Sequence, residues 1–267
     1  MSKFFVSSDI HSAYTPWMKS LKEAGFDEDN EDHKIIVCGD LFDRMDESLQ
    51  VYDWVCYMLQ HNRLIYILGN HESLLIECIE RGYPARHDWS NGTAKTIIDL
   101  DPYAENFYDA CGVVHDKVTP LFNKAVNYFE TQHYIFVHGW IPVICNDNLP
   151  SYYTRNRKFE FNPDWRNAHF SEWEQARWLN GMDMARNGFV EPGKTIVCGH
   201  WHCSYGHSFD DMAKNGPFDC IGEFDSTAIW EPYYGNGIIA IDRCTAYTGE
   251  VNVLVVEDEF LEGSCVT

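Results

Sequence analysis

Two phrases of the sequence are near copies: KIIVCGDLFDR from Lys34 and KTIVCGHWH from Lys194. Each is an apolar run, a glycine and then a side chain able to bind a metal ion, Asp40 in the first and His200 and His202 in the second. Three further apolar runs end alike: FFVSS leads into Asp9 and His11, LIYIL into Asn70 and His71, and YIFV into His138. Carboxylates, imidazoles and an amide oxygen suit divalent manganese, iron or zinc better than metals that favour thiolate. Taken singly these residues have ordinary explanations: Asp9 can cap a turn and Asn70 can fill a left-handed turn position. Independent turn residues, however, have no reason to collect at the ends of five apolar runs. With so many donors, two ions about 3.5–4 Å apart could share one carboxylate. A water between them would ionise near neutral pH and serve as the nucleophile, while the ions neutralise charge on a phosphoryl transition state.

The surrounding pattern supplies the elements that must position these groups. FFVSS (4–8) predicts a strand, followed by a helix with Thr15 as N-cap, Pro16 at its first position and Gly25 just past its end. Strands over 35–38 and 64–68 alternate with helices over 46–61 and 72–81, the second stopped by Gly82. This rhythm predicts a sequential α/β sheet, whose strand carboxyl ends are where ligands bind. Residues 84–132 read as helices and loops, and 134–138 as a strand. The segment 146–192 reads as a cap with one helix over 167–180, and 203–236, rich in glycine, proline and aromatics, as a long loop. Runs 195–198, 237–242 and 251–257 predict strands, the last two a hairpin. The expectation is a single domain over 1–267, with cap-like insertions at 84–132, 146–192 and 203–236.

Composition narrows the function classes. Hydrophobic residues at 45% and aromatics at 15% allow a sizeable core, and no stretch approaches the roughly 20 apolar residues a membrane span needs. The start, MSKFFVSSDIH, lacks the character of a secretory signal. Twenty basic against 41 acidic residues give a charge of −21, which repels an extended nucleic-acid backbone and anionic membranes. A small phosphoester is still compatible, because two bound cations make their own positive field. Ten cysteines without a CxxC spacing, several inside apolar runs, predict reduced thiols and a cytoplasmic location.

D-x-H at 9–11, GDLFDR at 39–44, GNHE at 69–72, HGW at 138–140 and GHWH at 199–202 together resemble the calcineurin-like metallophosphoesterase superfamily. GDLFDR and GNHE resemble its bacterial phosphoprotein phosphatase (PPP) branch, as does the tail GIIAIDRCTAYTGEVNVLVVED. The resemblance implies a four-layer αββα sandwich with the site at the strand ends. It implies one ion on Asp9, His11, Asp40 and His202, and a second on Asp40, Asn70, His138 and His200. By the same resemblance His71 protonates the leaving oxygen, Asp43 orients His71, and Arg44 forks onto the phosphate. Arg177, in SEWEQARWLNG, is the match to a second phosphate-gripping arginine. Three features depart from the branch: Met45 stands where glycine is usual, Trp140 where HGG is usual, and His202 is a residue many members lack.

The leading expectation is therefore a two-metal phosphomonoesterase like the serine/threonine phosphoprotein phosphatases, with manganese favoured and iron, zinc or nickel as alternatives. Its partners would be a phosphorylated protein or a small phosphoester. Symmetrical dinucleoside tetraphosphate hydrolysis, or another phosphodiesterase activity, is the second expectation. Relatives of that kind typically have alanine where this chain has Asp43. A non-catalytic metal-binding scaffold is the third. Trp165, Trp173 and Trp178 are expected to pack a cap, and His207 to lie outside the site.

Overall fold

The computed structural model describes residues 2–145, 158–217 and 219–266, the last strand by its backbone alone. The chain opens with β1 (Ser2–Ser7), α1 (Tyr14–Glu23), β2 (His33–Cys38), α2 (Ser48–Gln60), β3 (Leu64–Ile67) and α3 (Asn70–Arg81). Helices α4 (Arg86–Asn91), α5 (Thr93–Leu100) and α6 (Phe107–Phe122) precede β4 (Tyr128–Thr131), β5 (Tyr134–Phe136), β6 (Val143–Cys145) and β7 (Phe159–Phe161). After α7 (Phe170–Ala176) and α8 (Gly181–Arg186) come β8 (Thr195–Cys198), α9 (Cys203–Asn215), β9 (Tyr233–Gly235) and β10 (Ile238–Ala240). A short α10 (Thr245–Thr248), β11 (Leu254–Asp258) and β12 (Phe260–Val266) complete the order.

One sheet runs β11-β1-β2-β3 and the other β12-β4-β5-β8-β10-β9, with β6 and β7 forming a separate ribbon. β1, β2 and β3 are parallel, as are β5, β8 and β10. Alternation along the strands sets the layers, because successive side chains point to opposite faces. Phe4, Val6, Ile36 and Cys38 join Phe136 and Val197 of the other sheet in one buried cluster between the sheets. Phe5, Ile35 and Val37 turn outward onto α1, α2, α3, α5 and α6. Ile135, Ile196 and Cys198 turn outward onto Trp165, Trp173 and α8. The order is helices, sheet, sheet, helices: the expected four-layer sandwich. Strands buried on both faces need continuous apolar runs, which is why IIVC and TIVC lack polar interruptions.

The structure differs from the sequence expectations in several places. The predicted hairpin of 237–242 with 251–257 does not form. β10 pairs with β8 and β9, whereas β11 crosses to pair antiparallel with β1. As an edge strand β11 buries Val256 between the sheets and exposes Val255 and Glu257. The predicted long loop begins instead with α9. Its glycine, Gly206, is a close-packing position: an added Cβ would lie 2.5 Å from Met182 Sδ and 2.7 Å from the Tyr233 ring. The helix expected over 167–180 is shorter, α7 alone, and a further helix, α8, follows it, with Asn180 capping α8 through the Met182 and Asp183 amides. Thr15 lies inside α1 and bonds Glu47 rather than capping. Within 84–132, α5 and α6 belong to the outer helical layer and β4 to the second sheet. Part of the predicted cap, 146–157, lies outside the described residues. No helix among the described residues is long and apolar enough to cross a membrane.

Candidate metal centre

The repeated phrase places a glycine and a candidate ligand just past the end of one strand in each sheet. β2 leads into Gly39 and Asp40, and β8 into Gly199 and His200, with Asp40 at φ 55° and His200 at φ 66°, both left-handed. Gly39 itself has φ 81°, and a Cβ there would lie 2.5 Å from His138 Nδ1. A Cβ on Gly199 would run into the Asp9 carboxylate. These glycines let the two sheets' loops close on each other. Among the described residues nine non-glycine residues have positive φ, and six of them are Asp9, His11, Asp40, Asp43, Arg44 and His200. Such conformations cost on the order of 1–2 kcal/mol each and persist only where surrounding contacts hold them. The contacts are specific: Asp9 N–H donates to Gly39 O (3.2 Å), His11 N–H to Asp40 O (3.0 Å), and Gly199 N–H to His138 O (2.8 Å). The His200 N–H donates to Asp9 Oδ2 (2.9 Å), tying the first sheet to the second.

Around Asp40 the side chains form two groups of inward-facing acceptors. His138 donates Nδ1–H to Cys38 O (2.8 Å), and burial holds its pKa well below the ordinary imidazole range, so it is neutral. Its Nε2 therefore presents a lone pair, 2.8 Å from Asn70 Oδ1 and 3.4 Å from Asp40 Oδ1. His200 joins Asp40 and His138 with ligand atoms all within 4.8 Å of one another. On the other side His11 donates Nδ1–H to Phe42 O (3.0 Å) and is likewise kept neutral by burial. Its Nε2 faces Asp40 Oδ2 at 3.9 Å and Asp9 Oδ1 at 4.0 Å. Asp40 thus shows one oxygen to each group.

Electrostatics point the same way. Burial raises the pKa of both Asp9 and Asp40; Asp242 next to Asp9, and Asp9 and Glu72 next to Asp40, add to the rise. Burial and the neighbouring His71 push His200 down to about 3. Lone pairs meeting without a proton between them, beside carboxylates that burial disfavours as anions, form a set that a divalent cation fits.

His71 stands at the edge of this arrangement, its ring 4.8 Å from that of His11. Its Nδ1 donates to Asp43 Oδ2 at 2.7 Å. Asp43 is fully buried and also accepts from Thr93 Oγ1 (2.6 Å) and Thr96 Oγ1 (2.9 Å). The Nδ1 bond of His71 leaves Nε2 as the ring nitrogen without the Nδ1 proton.

Glu72 is a residue to which the sequence reading gave no task. Its buried carboxylate accepts from Gly69 N–H (2.7 Å) and Asp40 N–H (3.1 Å) on Oε2, and from Leu41 N–H (2.9 Å) on Oε1. It clamps the loop after β2 onto the start of α3. The only sequence signal was its place in GNHE.

Asp9, His11, Asp40, Asn70, His71 and His200 floor a cavity of about 470 Å³, whose walls include Arg44, Leu74, Trp178, His202, Asp242 and Tyr247. Trp178, expected in a cap, instead faces the site, edge-on to His200 at 5.9 Å. Trp165 and Trp173, also expected in a cap, pack instead in the outer core against the second sheet. Trp140 turns away from the ligands, buried in that core with Nε1–H on Phe189 O (2.9 Å). Met45 has no left-handed backbone, and its N–H reaches His11 O (3.1 Å), so its glycine is dispensable. Arg177 does not line the cavity; its guanidinium donates to Ser73 Oγ (3.3 Å) and Asn127 Oδ1 (2.9 Å). His202 lines the cavity, but its Nε2 lies 2.6 Å from Glu223 Oε1. His207 meets Glu231 O and lies outside the cavity. A larger cavity of about 670 Å³, between α1 and residues 243–253, brings together no comparable donor set.

A family model described as calcineurin-like phosphoesterase matches residues 2–204. A curated protein, the asymmetrical bis(5'-nucleosyl)-tetraphosphatase PrpE of Anoxybacillus flavithermus, is 35% identical over 72 residues, 25% of this chain and 29% of the relative. The match thus spans under a third of that relative's length. Among solved structures, the cold-active protein-tyrosine phosphatase of a psychrophile Shewanella species is similar with a TM-score of 0.51 and 14% identity, over 96% of this chain and 76% of that one. A protein serine/threonine phosphatase of Saccharomyces cerevisiae gives 0.46 at 16% identity, over 75% and 61%.

Proposed function

This chain belongs to the calcineurin-like phosphoesterase family, and from that premise we propose that it is a phosphomonoesterase of the phosphoprotein phosphatase kind. Asp9, His11 and Asp40 would hold one divalent cation, and Asp40, Asn70, His138 and His200 a second. The observation that supports this most is the meeting of Asn70 Oδ1 and Asp40 Oδ1 within 3.4 Å of His138 Nε2, the His138 Nδ1–H being already given to Cys38 O. Nitrogen and oxygen donors without thiolate favour manganese, with iron, zinc or nickel as alternatives. Bound cations would supply an ionised water as nucleophile and neutralise charge on the phosphoryl group.

The chain's own groups do the rest. Arg44, the only lysine or arginine among the described residues lining the cavity, forks onto phosphate oxygens. His71 presents Nε2 to the leaving oxygen and delivers a proton there. Asp43 fixes the Nδ1–H tautomer and stabilises the imidazolium from which that proton leaves. Thr93 and Thr96 hold Asp43 so that the ring cannot turn. A monoester carries few negative charges and one arginine beside the cations suffices for it.

Dinucleoside tetraphosphate hydrolysis is the second reading, supported by the local similarity to a bis(5'-nucleosyl)-tetraphosphatase. The single cavity arginine disfavours it, because a tetraphosphate chain brings more charge than that wall answers. The test is hydrolysis by manganese-loaded protein of phosphopeptides, p-nitrophenyl phosphate and a dinucleoside tetraphosphate, with Asn70→Ala alongside. The proposal expects monoester turnover that Asn70→Ala abolishes. Preference for the tetraphosphate would favour the second reading, and two bound ions without turnover of any substrate would leave a scaffold.

A further inference from the structure

Residues 219–232, between α9 and β9, form a lip beside the cavity. It is tied at both ends: Ile221 N–H donates to Asp211 Oδ2 (2.8 Å), Ser208 Oγ to Ile221 O (2.9 Å), and Asn252 Nδ2 to Trp230 O (2.8 Å). An internal turn holds it between these ties, with Gly222 N–H on Thr227 Oγ1 and Thr227 N–H on Asp225 Oδ1, both 2.8 Å. Phe224, Trp230 and Tyr247 pack on one another with ring centres 5.4–5.8 Å apart, and Tyr247 OH donates to Phe224 O (2.9 Å). Glu223 therefore arrives at His202 on a fixed support. Its Oε1 lies 2.6 Å from His202 Nε2, while the imidazole packs against Phe224 (4.7 Å), Trp230 (6.0 Å) and Trp201 (6.1 Å).

The contrast with the neighbouring histidines carries the inference. His11 and His138 give their Nδ1–H to main-chain carbonyls and leave Nε2 open toward Asp40. His202 has the same ring nitrogen closed by a carboxylate and the ring enclosed by aromatics of the lip. We propose that His202 is not a ligand of the dimetal centre but, with Glu223, the clasp that fastens the 219–232 lip at the cavity's edge. This rests on the dimetal reading proposed for the site. The first cation would then be held by Asp9, His11 and Asp40 alone among these side chains, leaving more of its coordination to solvent and substrate.

The experiment is a metal titration of His202→Ala, Glu223→Gln and His138→Ala, with ions per chain counted after desalting from manganese and exchange of the 219–232 amides followed by mass spectrometry. Expected are two ions per chain in both lip variants, a dissociation constant changed by less than about fivefold, and faster exchange across 219–232 in both. A ligand histidine, or an outer carboxylate that orients one, costs about 10–100-fold in metal affinity when removed. Loss of an ion, or a change of fivefold or more, in either lip variant would overturn the proposal. So would unchanged exchange in both. Glu223→Gln keeps the side chain's shape and covers the case in which His202→Ala fails to fold. Absence of metal from the wild type, or two ions retained by His138→Ala, would sink the dimetal reading instead.

Discussion

Replacing Glu72 by glutamine tests whether one carboxylate holds the two loops of the site together. The carboxylate receives three main-chain N–H donors, from Gly69 and Asp40 on Oε2 and from Leu41 on Oε1. Hydrogen bonds to a charged group contribute about 1.5–3 kcal/mol each, and a stranded buried donor costs about 1–3 kcal/mol. A glutamine that keeps its oxygen toward Gly69 and Asp40 turns its NH2 against the Leu41 N–H. One bond is lost, one donor is stranded and two bonds lose their charge assistance, for a cost of about 3–5 kcal/mol in the metal-loaded protein. In the metal-free protein an opposing effect enters, because the Glu72 charge repels Asp9 and Asp40 and removing it relieves both. Bound cations would already have cancelled that repulsion. The loss should therefore be smaller without metal, and closing the cycle means that Glu72→Gln also binds metal more weakly, by about tenfold if the two losses differ by about 1.4 kcal/mol. Thermal unfolding with and without manganese reads this directly. A loss of about 4 kcal/mol in a chain of this size lowers the loaded midpoint by roughly 10 °C, with a smaller drop in the metal-free sample. An equal or larger drop without metal, or a loaded shift under about 2 °C, would refute the clamp.

Asp43→Asn should leave metal content intact and lower kcat by about 10²–10⁴-fold, since the amide can hold the wrong tautomer of His71; steady-state kinetics with p-nitrophenyl phosphate beside an ion count decide it, and full activity would remove the pair from the mechanism. Metal uptake should be proton-linked. Burial and neighbouring carboxylates raise Asp9 and Asp40, so in the metal-free fold their stabilisation is greatest below the unfolded value near 3.8 and is lost as pH rises through the raised folded value. His11, His138 and His200 are lowered from 6.5, so theirs is present above 6.5 and is lost as pH falls toward the lowered values, about 3 for His200. Between those limits the histidines stay neutral and only carboxylate protons compete with the ion. Below the raised carboxylate pKa, apparent affinity should fall about tenfold per pH unit for each displaced proton, measured by calorimetry in buffers of different ionisation enthalpy; metal binding without proton release at any pH tested would contradict the assigned protonation.

What the sequence disclosed and what it withheld divide along a physical line. Apolar runs such as FFVSS, IIVC, LIYIL and TIVC announced the strands because a strand covered on both faces has no polar side to interrupt it. The gathering of Asp9, His11, Asp40, Asn70, His138 and His200 was legible from their number, since five apolar runs ending in such residues share no ordinary explanation. Glu72 was not, because an acid in the first turn of a helix has an ordinary meaning there, and its reach to Asp40 and Leu41 exists only once β2 and β3 lie side by side. The fate of β11 was hidden too, since an alternating strand fits the edge of either sheet and pairing with β1 is a choice between two surfaces.

The left-handed backbone at Asp9, His11, Asp40 and His200 was equally silent, although aspartate and histidine tolerate it better than most residues. That strain, with carboxylates raised and imidazoles lowered by burial, makes the strand ends an unfavourable local arrangement for the bare chain. Two sheets with extensive cores on either side hold it in place. The cost lies at the loops and the stability lies in the layers, so the same framework can keep lone pairs aimed at one another before any cation arrives.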